Sequence, residues 1–343
     1  ETSPRYLALQ ALAAVGTPGA LDAFAELIAQ DPPRRERQAD LAFAPLWRHP
    51  RLAVDRLYPA LWDALAQETV ASLVLDLANL LHRRRAVERH PAADRAASLV
   101  ELFAQLAERL KILEERPRQY ASTPAELQQL VQRSVTLGSA LADALGLIGD
   151  RAAIPALRRA LAVGHRRIRA AAAAALAALG EREGVDVLVT LAADPAARTR
   201  SLAYLEELNQ LDAVPAEHRS PQARAAGETA AMLSSPTQFG VAPSELDLVD
   251  QQQLRWPGYE PPVDCFLFSF EYALPSGSFS GVALCGPLTH ALHVDLEDLP
   301  PTDIYAVYCG WHVEHDEIWV SRAERASGSA LGSFCELARR LGA

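Results

Sequence analysis

A short motif that returns at a fixed interval constrains this chain more than any other feature. Ala144-Leu-Gly-Leu-Ile-Gly149 and Ala175-Leu-Ala-Ala-Leu-Gly180 lie 31 residues apart, and the positions after them keep step: Ile154 with Val185, Leu157 with Leu188, Arg169 with Arg200. An earlier copy, Ala11-Leu-Ala-Ala-Val-Gly16, is followed by Leu21 and Phe24 at the matching offsets. One copy of about 30 residues cannot bury an apolar stripe alone, so the copies must stack. The architecture that stacks helix pairs in this way is an α-solenoid.

The chemistry of a single copy supports two helices. Asp150 is placed to cap the first, and Pro155 is tolerated only near its start. Ile154, Leu157 and Leu161 then fall on one face. Gly164 is expected to end that helix in the left-handed conformation. A second helix runs from about Arg166 to Gly180, its alanine run favouring helix and close helix–helix approach. Asp194-Pro195 opens the next helix as an N-cap followed by proline at the first helical position.

The Ala-Leu-x-x-(Ile/Leu/Val)-Gly-(Asp/Glu) endings at 144–150 and 175–181, with Arg169 and Arg200 early in the second helices, resemble the HEAT repeat. They look like the short variety found in phycobilisome-lyase-like HEAT proteins. The resemblance covers roughly a quarter of the chain and implies a mainly α fold, a HEAT-like α-α superhelix. It leaves function open, since such repeats serve scaffolds, chromophore lyases and DNA glycosylases alike.

Charge divides the chain. Residues 1–235 hold 28 basic and 28 acidic side chains, whereas residues 236–343 hold 5 and 15, which accounts for the net charge of −10. All four cysteines lie in the second part. A single lysine, Lys111, against 32 arginines reads as the imprint of a GC-rich bacterial genome. No apolar run reaches the ~18 residues that span a bilayer, and a cytoplasmic protein is expected. The chain begins Glu1-Thr-Ser-Pro4 without methionine, which fits a trimmed start and leaves a removed signal segment open.

The expected domains are a solenoid over 1–233, a linker or arm over 234–262 and a small acidic α+β module over 263–343. In the solenoid, Ala20, Phe24, Leu27 and Ile28 form the inner face of the first repeat. Leu73, Val74, Leu77, Leu80 and Leu81 form another stripe. Ala96, Leu99, Phe103, Leu106, Leu110 and Leu113 make a seam that packs internally. Pro45 and Pro59 are expected to break or kink helices, with Trp47, Tyr58 and Trp62 around those positions. A short helix at 221–233 closes the solenoid. The stretch 234–262, rich in Ser, Pro and Gln, ends in Trp256-Pro-Gly-Tyr259, an aromatic arm.

Beyond it the period changes from helix to strand. Phe266, Phe268, Phe270 and Tyr272 alternate, and further strands are expected at 279–285, 289–296 and 318–320. One helix should begin at Pro300 with Ile304, Val307, Tyr308 and Trp311 inward, and another at 331–341. The result is a small α+β module on an antiparallel sheet.

Candidate chemistry is sparse. Arg83, Arg84 and Arg85, and Arg166, Arg167 and Arg169, are the basic clusters that could bind a partner, together with Trp256 and Tyr259. Arg34, Arg35 and Arg37 form a third basic run. His290, His293, His312 and His315, near Cys285 and Cys309, are the one set with metal-ligand chemistry. His290 and His293 point to opposite strand faces, so zinc is not expected, and His312 and His315 are the first ligands if a metal is bound. Glu314, Asp316 and Glu317 flank those histidines and read as an exposed acidic helix end. No phosphate loop, nucleophile elbow or dinucleotide glycine fingerprint occurs.

The leading expectation is therefore a non-catalytic scaffold that binds a protein or peptide on the concave face of the solenoid, without a cofactor. A chromophore-handling lyase-like protein is the alternative, and a DNA-repair protein comes third, because a net-neutral solenoid is poorly suited to nucleic acid. The acidic module is expected to dock on an arginine cluster such as Arg166, Arg167 and Arg169, or else to recruit a basic partner. Oligomeric state is left open.

Overall fold

Each copy of the motif is the last turn of a helix, and its glycine is where the chain leaves it. This computed structural model describes residues 4–48, 54–117, 121–235, 238–254, 261–274, 277–294, 296 and 299–308. Helices α1 (Pro4–Val15), α2 (Pro18–Gln30), α3 (Glu36–Arg48), α4 (Val54–Leu61) and α5 (Glu68–Arg83) are followed by α6 (Ala96–Glu115) and α7 (Pro124–Ile148). Then come α8 (Ile154–Ala160), α9 (Arg166–Ala178), α10 (Arg182–Ala193), α11 (Pro195–Glu207), α12 (Ala216–Arg219) and α13 (Pro221–Leu233). Gly16, Gly149 and Gly180, just after α1, α7 and α9, have φ of 63°, 79° and 87°. A β-carbon is disfavoured in that left-handed region.

The same position after α5 and α11 is held by Arg85 (φ 56°) and Asn209 (φ 55°). The hydrogen bonds agree: Ala86 N donates to Leu81 O, Glu181 N to Leu176 O and Gln210 N to Leu205 O. Arg85 and Asn209 thus mark two helix ends of the repeat that carry no glycine. Asn209 follows Gly180 by 29 positions, not 31. The pairing of Arg169 with Arg200 therefore slips by two, and Arg198 is the residue in register with Arg169.

The chain divides into two compact units, one of Glu1–Leu191 with Arg200–Ala213 and one of Ala192–Thr199 with Val214–Ala343. In the first, α1, α3, α5, α7 and α9 pack side by side in order, while α2 packs on α4 and α6 on α8. This is the layered helical solenoid the repeat required. Close approach is built in: a β-carbon on Gly184 of α10 would lie 2.3 Å from Ala173 O, and one on Gly146 of α7 would lie 3.0 Å from Ala175 Cα. Asp150 accepts from Ala152 N as a cap, and Asp194 from Ala196 N. The α6 seam is buried along its whole length and packs on α7 and α8.

Two local expectations fail in this unit. The buried stripe of α2 is Leu21, Phe24, Ala25 and Ile28, with Leu27 exposed. Gly164 is not left-handed. Instead α8 stops at Ala160, and the Gly164 and His165 amides donate to the Glu114 carboxylate, both at 2.9 Å.

The second unit is built on an antiparallel sheet in the order β1 (Glu245–Leu254), β2 (Val263–Leu274), β3 (Gly277–Cys285), β4 (Thr289–Leu292). Strand alternation gives it two apolar faces. Phe266 and Phe268 meet Ala225 of α13, and Phe270 and Tyr272 meet Leu233. Cys265, Leu267, Val282 and Leu284 meet Ile304, Tyr305 and Tyr308 of the helix at 301–308.

Two boundaries move as a result. The stretch read as a linker contains β1, and α13 packs on the sheet rather than closing the solenoid. The strand was missed because its sequence, Glu-Leu-Asp-Leu-Val-Asp-Gln-Gln-Gln-Leu, buries only Leu254. In the 301–308 helix Val307 is exposed and Tyr305 takes the inner position. The expected strand at 318–320 and helix at 331–341 lie outside the described residues. Among the described residues no helix is long and apolar enough to cross a membrane.

Candidate functional site

Charged residues interrupt apolar helices at few places, and several of those places meet across α5, α7, α9 and α11. Asp76 stands between Leu75 and Leu77 on α5, and Asp143 between Ala142 and Ala144 on α7. The neighbours of each are buried, so each carboxylate is carried to the edge of the core by helical packing it cannot avoid. Around them stand Arg83 of α5, Arg167 of α9, and Arg200, Tyr204 and Glu207 of α11.

Arg83 Nε donates to Glu207 Oε1 at 2.8 Å, and its other end lies 3.5 Å from Asp143 Oδ2. The Tyr204 hydroxyl donates to Asp143 Oδ1 at 3.2 Å, and Arg200 hydrogen-bonds Tyr204. Gly146, Leu147, Ala174, Ala175 and Ala178 form the small-residue floor of a notch of about 40 Å³ beside this network. The site therefore combines a shallow apolar notch with a rim of both charges.

Its electrostatics follow from partial burial. Burial, with Asp143 adding to it, lifts the Asp76 carboxyl to about 6 against the pull of Arg167, Arg83 and Arg200. Asp143 is also raised, chiefly by burial. Burial and the neighbouring Arg200 lower Arg167, while burial and Asp143 raise Tyr204. For Arg83 burial works downward, but Asp143 and Glu207 together outweigh it and the group is raised. Among the described residues Asp76 makes no hydrogen bond or ion pair, and the buried Nε of Arg167 has no hydrogen-bond partner. A carboxylate and a guanidinium are thus held at one face with unused bonding capacity.

Residues 124–209 match the family model of HEAT repeats. That segment carries HEAT repeats. The matched segment runs from α7 through α11, so it contains Asp143, Arg167, Arg200, Tyr204 and Glu207, while Asp76 and Arg83 precede it on α5. HEAT repeats are commonly protein-interaction scaffolds. No curated protein and no solved structure matches the chain.

The expected basic clusters do not survive as clusters. Of Arg83, Arg84 and Arg85, only Arg83 joins the HEAT-segment network; Arg84 donates to Trp47 O at 3.2 Å, and Arg85 is the exposed left-handed residue. Arg167 faces the carboxylates, Arg166 is exposed, and Arg169 is half-buried with no partner for Nε. Arg34, Arg35 and Arg37 are exposed. Asp76, Asp143, Tyr204 and Glu207 were missed. The available signal was a lone carboxylate inside an apolar helical stripe.

Trp256, Tyr259, Cys309, His312 and His315 lie outside the described residues, as do Glu314, Asp316 and Glu317. His290 pairs with Leu284 on the 301–308 side of the sheet, whereas His293 meets Phe279 edge to face, ring centroids 5.1 Å apart. Among the described residues no three His, Cys, Asp or Glu side chains gather as a metal site. Burial, with Thr289 opposing and Glu228 adding, pushes the Cys285 thiol up to about 11, far from thiolate chemistry.

Proposed function

We propose that this chain is a non-catalytic adaptor, and that the helix face carrying Asp76, Asp143, Arg167 and Tyr204 receives a segment of a partner protein. One observation carries the reading: a half-buried carboxylate and guanidinium that share a face and leave bonding capacity unused beside an apolar notch. Perturbed, partly desolvated charges are characteristic of functional sites. Here the alternation of acid and base favours a polypeptide, whose amides and side chains offer both donors and acceptors. It argues against nucleic acid, which wants a basic face. The notch of about 40 Å³ is far below the roughly 300–1,000 Å³ that encloses a drug-sized ligand. That weighs against the chromophore-handling alternative on this face.

The test is photocrosslinking in the native host. A photoreactive residue at Ala178, in the notch, should capture a discrete protein, and Asp76→Asn with Arg167→Gln should abolish the product. The same residue at Arg182, exposed on α10, should not capture it. Identical products from both positions, or capture that ignores the two substitutions, would sink the proposal.

A further inference from the structure

β1 lies, among the described residues, at the edge of the sheet, where an outer side offers backbone groups to whatever can add a strand. Among the described residues β2 is its partner on one side and no strand pairs with the other. Edge strands of this length are usually blunted, because a row of free amide and carbonyl groups is a template for pairing. β1 runs ten residues, and its one irregularity is the bulge between Leu248 and Asp250. Leu248 and Val249 are exposed there at 42% and 38%.

The charges on the sheet strands share one sign. Glu245, Asp247, Asp250, Asp264 and Glu271 are acidic, and β1 to β4 carry no lysine or arginine. Register places Glu245 directly opposite Glu271 and Asp247 opposite Ser269. Like charges directly opposite on a sheet destabilise it, and among the described residues none of these three carboxylates is in an ion pair. A lone gatekeeping charge could have either sign and need not face another of its kind. Together with Ser280 and the apolar side chains of Val282, Val294 and Leu296, the three line a hollow of about 180 Å³. That hollow opens beside the N-terminal half of β1.

We infer that the β1 edge is a docking site for a basic, extended segment of a partner protein, which adds to the sheet as a fifth strand. The partner's backbone supplies the ladder hydrogen bonds, which carry no sequence information. Its lysine or arginine side chains, alternating along the strand, supply the specificity by entering the hollow between Glu245, Asp247 and Glu271. Leu248 and Val249 give the intervening apolar side chains a surface to cover. The site belongs to the sheet unit and is independent of the face assigned to partner binding above.

The experiment uses the full chain and a labelled ten-residue peptide that alternates lysine with valine, followed by fluorescence anisotropy at low salt. Saturable binding is expected, falling at least tenfold in 0.5 M salt. It should also fall at least tenfold in Glu245→Lys and Asp247→Lys, both exposed positions, with unchanged circular dichroism. A peptide N-methylated at every other amide keeps its charge but cannot complete a ladder, and it should bind at least tenfold more weakly. Equal binding of the methylated peptide would mean charge attraction without strand addition and overturn the inference. No binding at low salt would overturn it as well. Amide exchange of the free chain gives an independent check: if both alternating sets of β1 amides are already protected, another segment or a second copy occupies the edge and the partner site does not exist.

Discussion

Single residues at helix ends show where this sequence departs from its own repeat. Arg85 and Asn209 occupy left-handed positions that Gly16, Gly149 and Gly180 fill elsewhere. A side chain there costs roughly 1–2 kcal/mol, less for asparagine than for arginine. Arg85→Gly is therefore expected to stabilise the protein by about 1 kcal/mol, with Asn209→Gly smaller and Gly180→Ala opposite in sign. Urea midpoints rank the three. A loss of stability in Arg85→Gly would show that the arginine contributes more than its backbone costs.

Two titrating groups in the same helix layer act in opposite directions. His90 accepts the Ala92 amide at Nδ1 and meets Asn79 Oδ1 at 3.0 Å through Nε2, so its neutral form is the one that fits. Burial, with His82 and Arg83 adding, lowers it to about 4. The stability it contributes is complete above its unfolded value of about 6.5 and is lost as pH falls toward 4. Asp76 is raised to about 6, so its contribution is complete below about 4 and is lost as pH rises through 6. The two slopes oppose each other between pH 4 and 6. Asp76→Asn should add about 1–3 kcal/mol at pH 7.5, and should expose the full His90 loss on acidification. Equal stability of variant and parent at pH 7.5 would mean that Asp76 is solvated.

At the scale of the element, the sequence was most legible where a helix has one apolar stripe and short caps. The α6 seam, the Asp150 and Asp194 caps and the span of α9 could all be read from spacing, because each follows from local geometry. β1 could not, since an edge strand half covered by water shows little periodicity. The site was hidden for a related reason: Asp76 and Asp143 are far apart in sequence and become neighbours only when α5 packs on α7. Close packing of elements is the testable part. Gly184→Ala would drive a methyl into the Ala173 carbonyl and the Ala177 amide, at 2.3 and 2.5 Å. It should cost about 1–3 kcal/mol, as overpacking does. Leu157→Ala and Leu188→Ala, both fully buried, should each cost about 2–5 kcal/mol by leaving a cavity. A change of a few tenths in thermal or urea unfolding would mean that the α8–α10 register is wrong.

For the whole molecule, chain order and structural membership separate within α11. Its first residues, up to Thr199, belong with the sheet unit together with Ala192–Asp194 before them, while Arg200–Ala213 belongs with the helical one. Composition placed the boundary near 233, where Ser and Pro become frequent. Packing places it before α13, whose Ala225 and Leu233 cover Phe266 and Phe270. Arg198 holds the short insertion in its unit. It is 6% exposed, and its guanidinium donates to Ala192 O and Ala193 O at 2.8 Å and to Ala223 O at 3.0 Å. Burial lowers its pKa, the Asp194 carboxylate opposes that, and the three carbonyls accept its N–H groups. Arg198→Met fills most of the volume but leaves the helix-end carbonyls of Ala192 and Ala193 without a donor and removes the tie to Ala223 O, which should cost at least about 2 kcal/mol. Because Ala223 lies on α13, the loss should fall on the sheet unit. Native-state amide exchange would then show weaker protection in β2 and β3, with α5 and α7 unchanged. An equal loss of protection in α7 would mean that the two units open as one, and the division within α11 would have no energetic meaning.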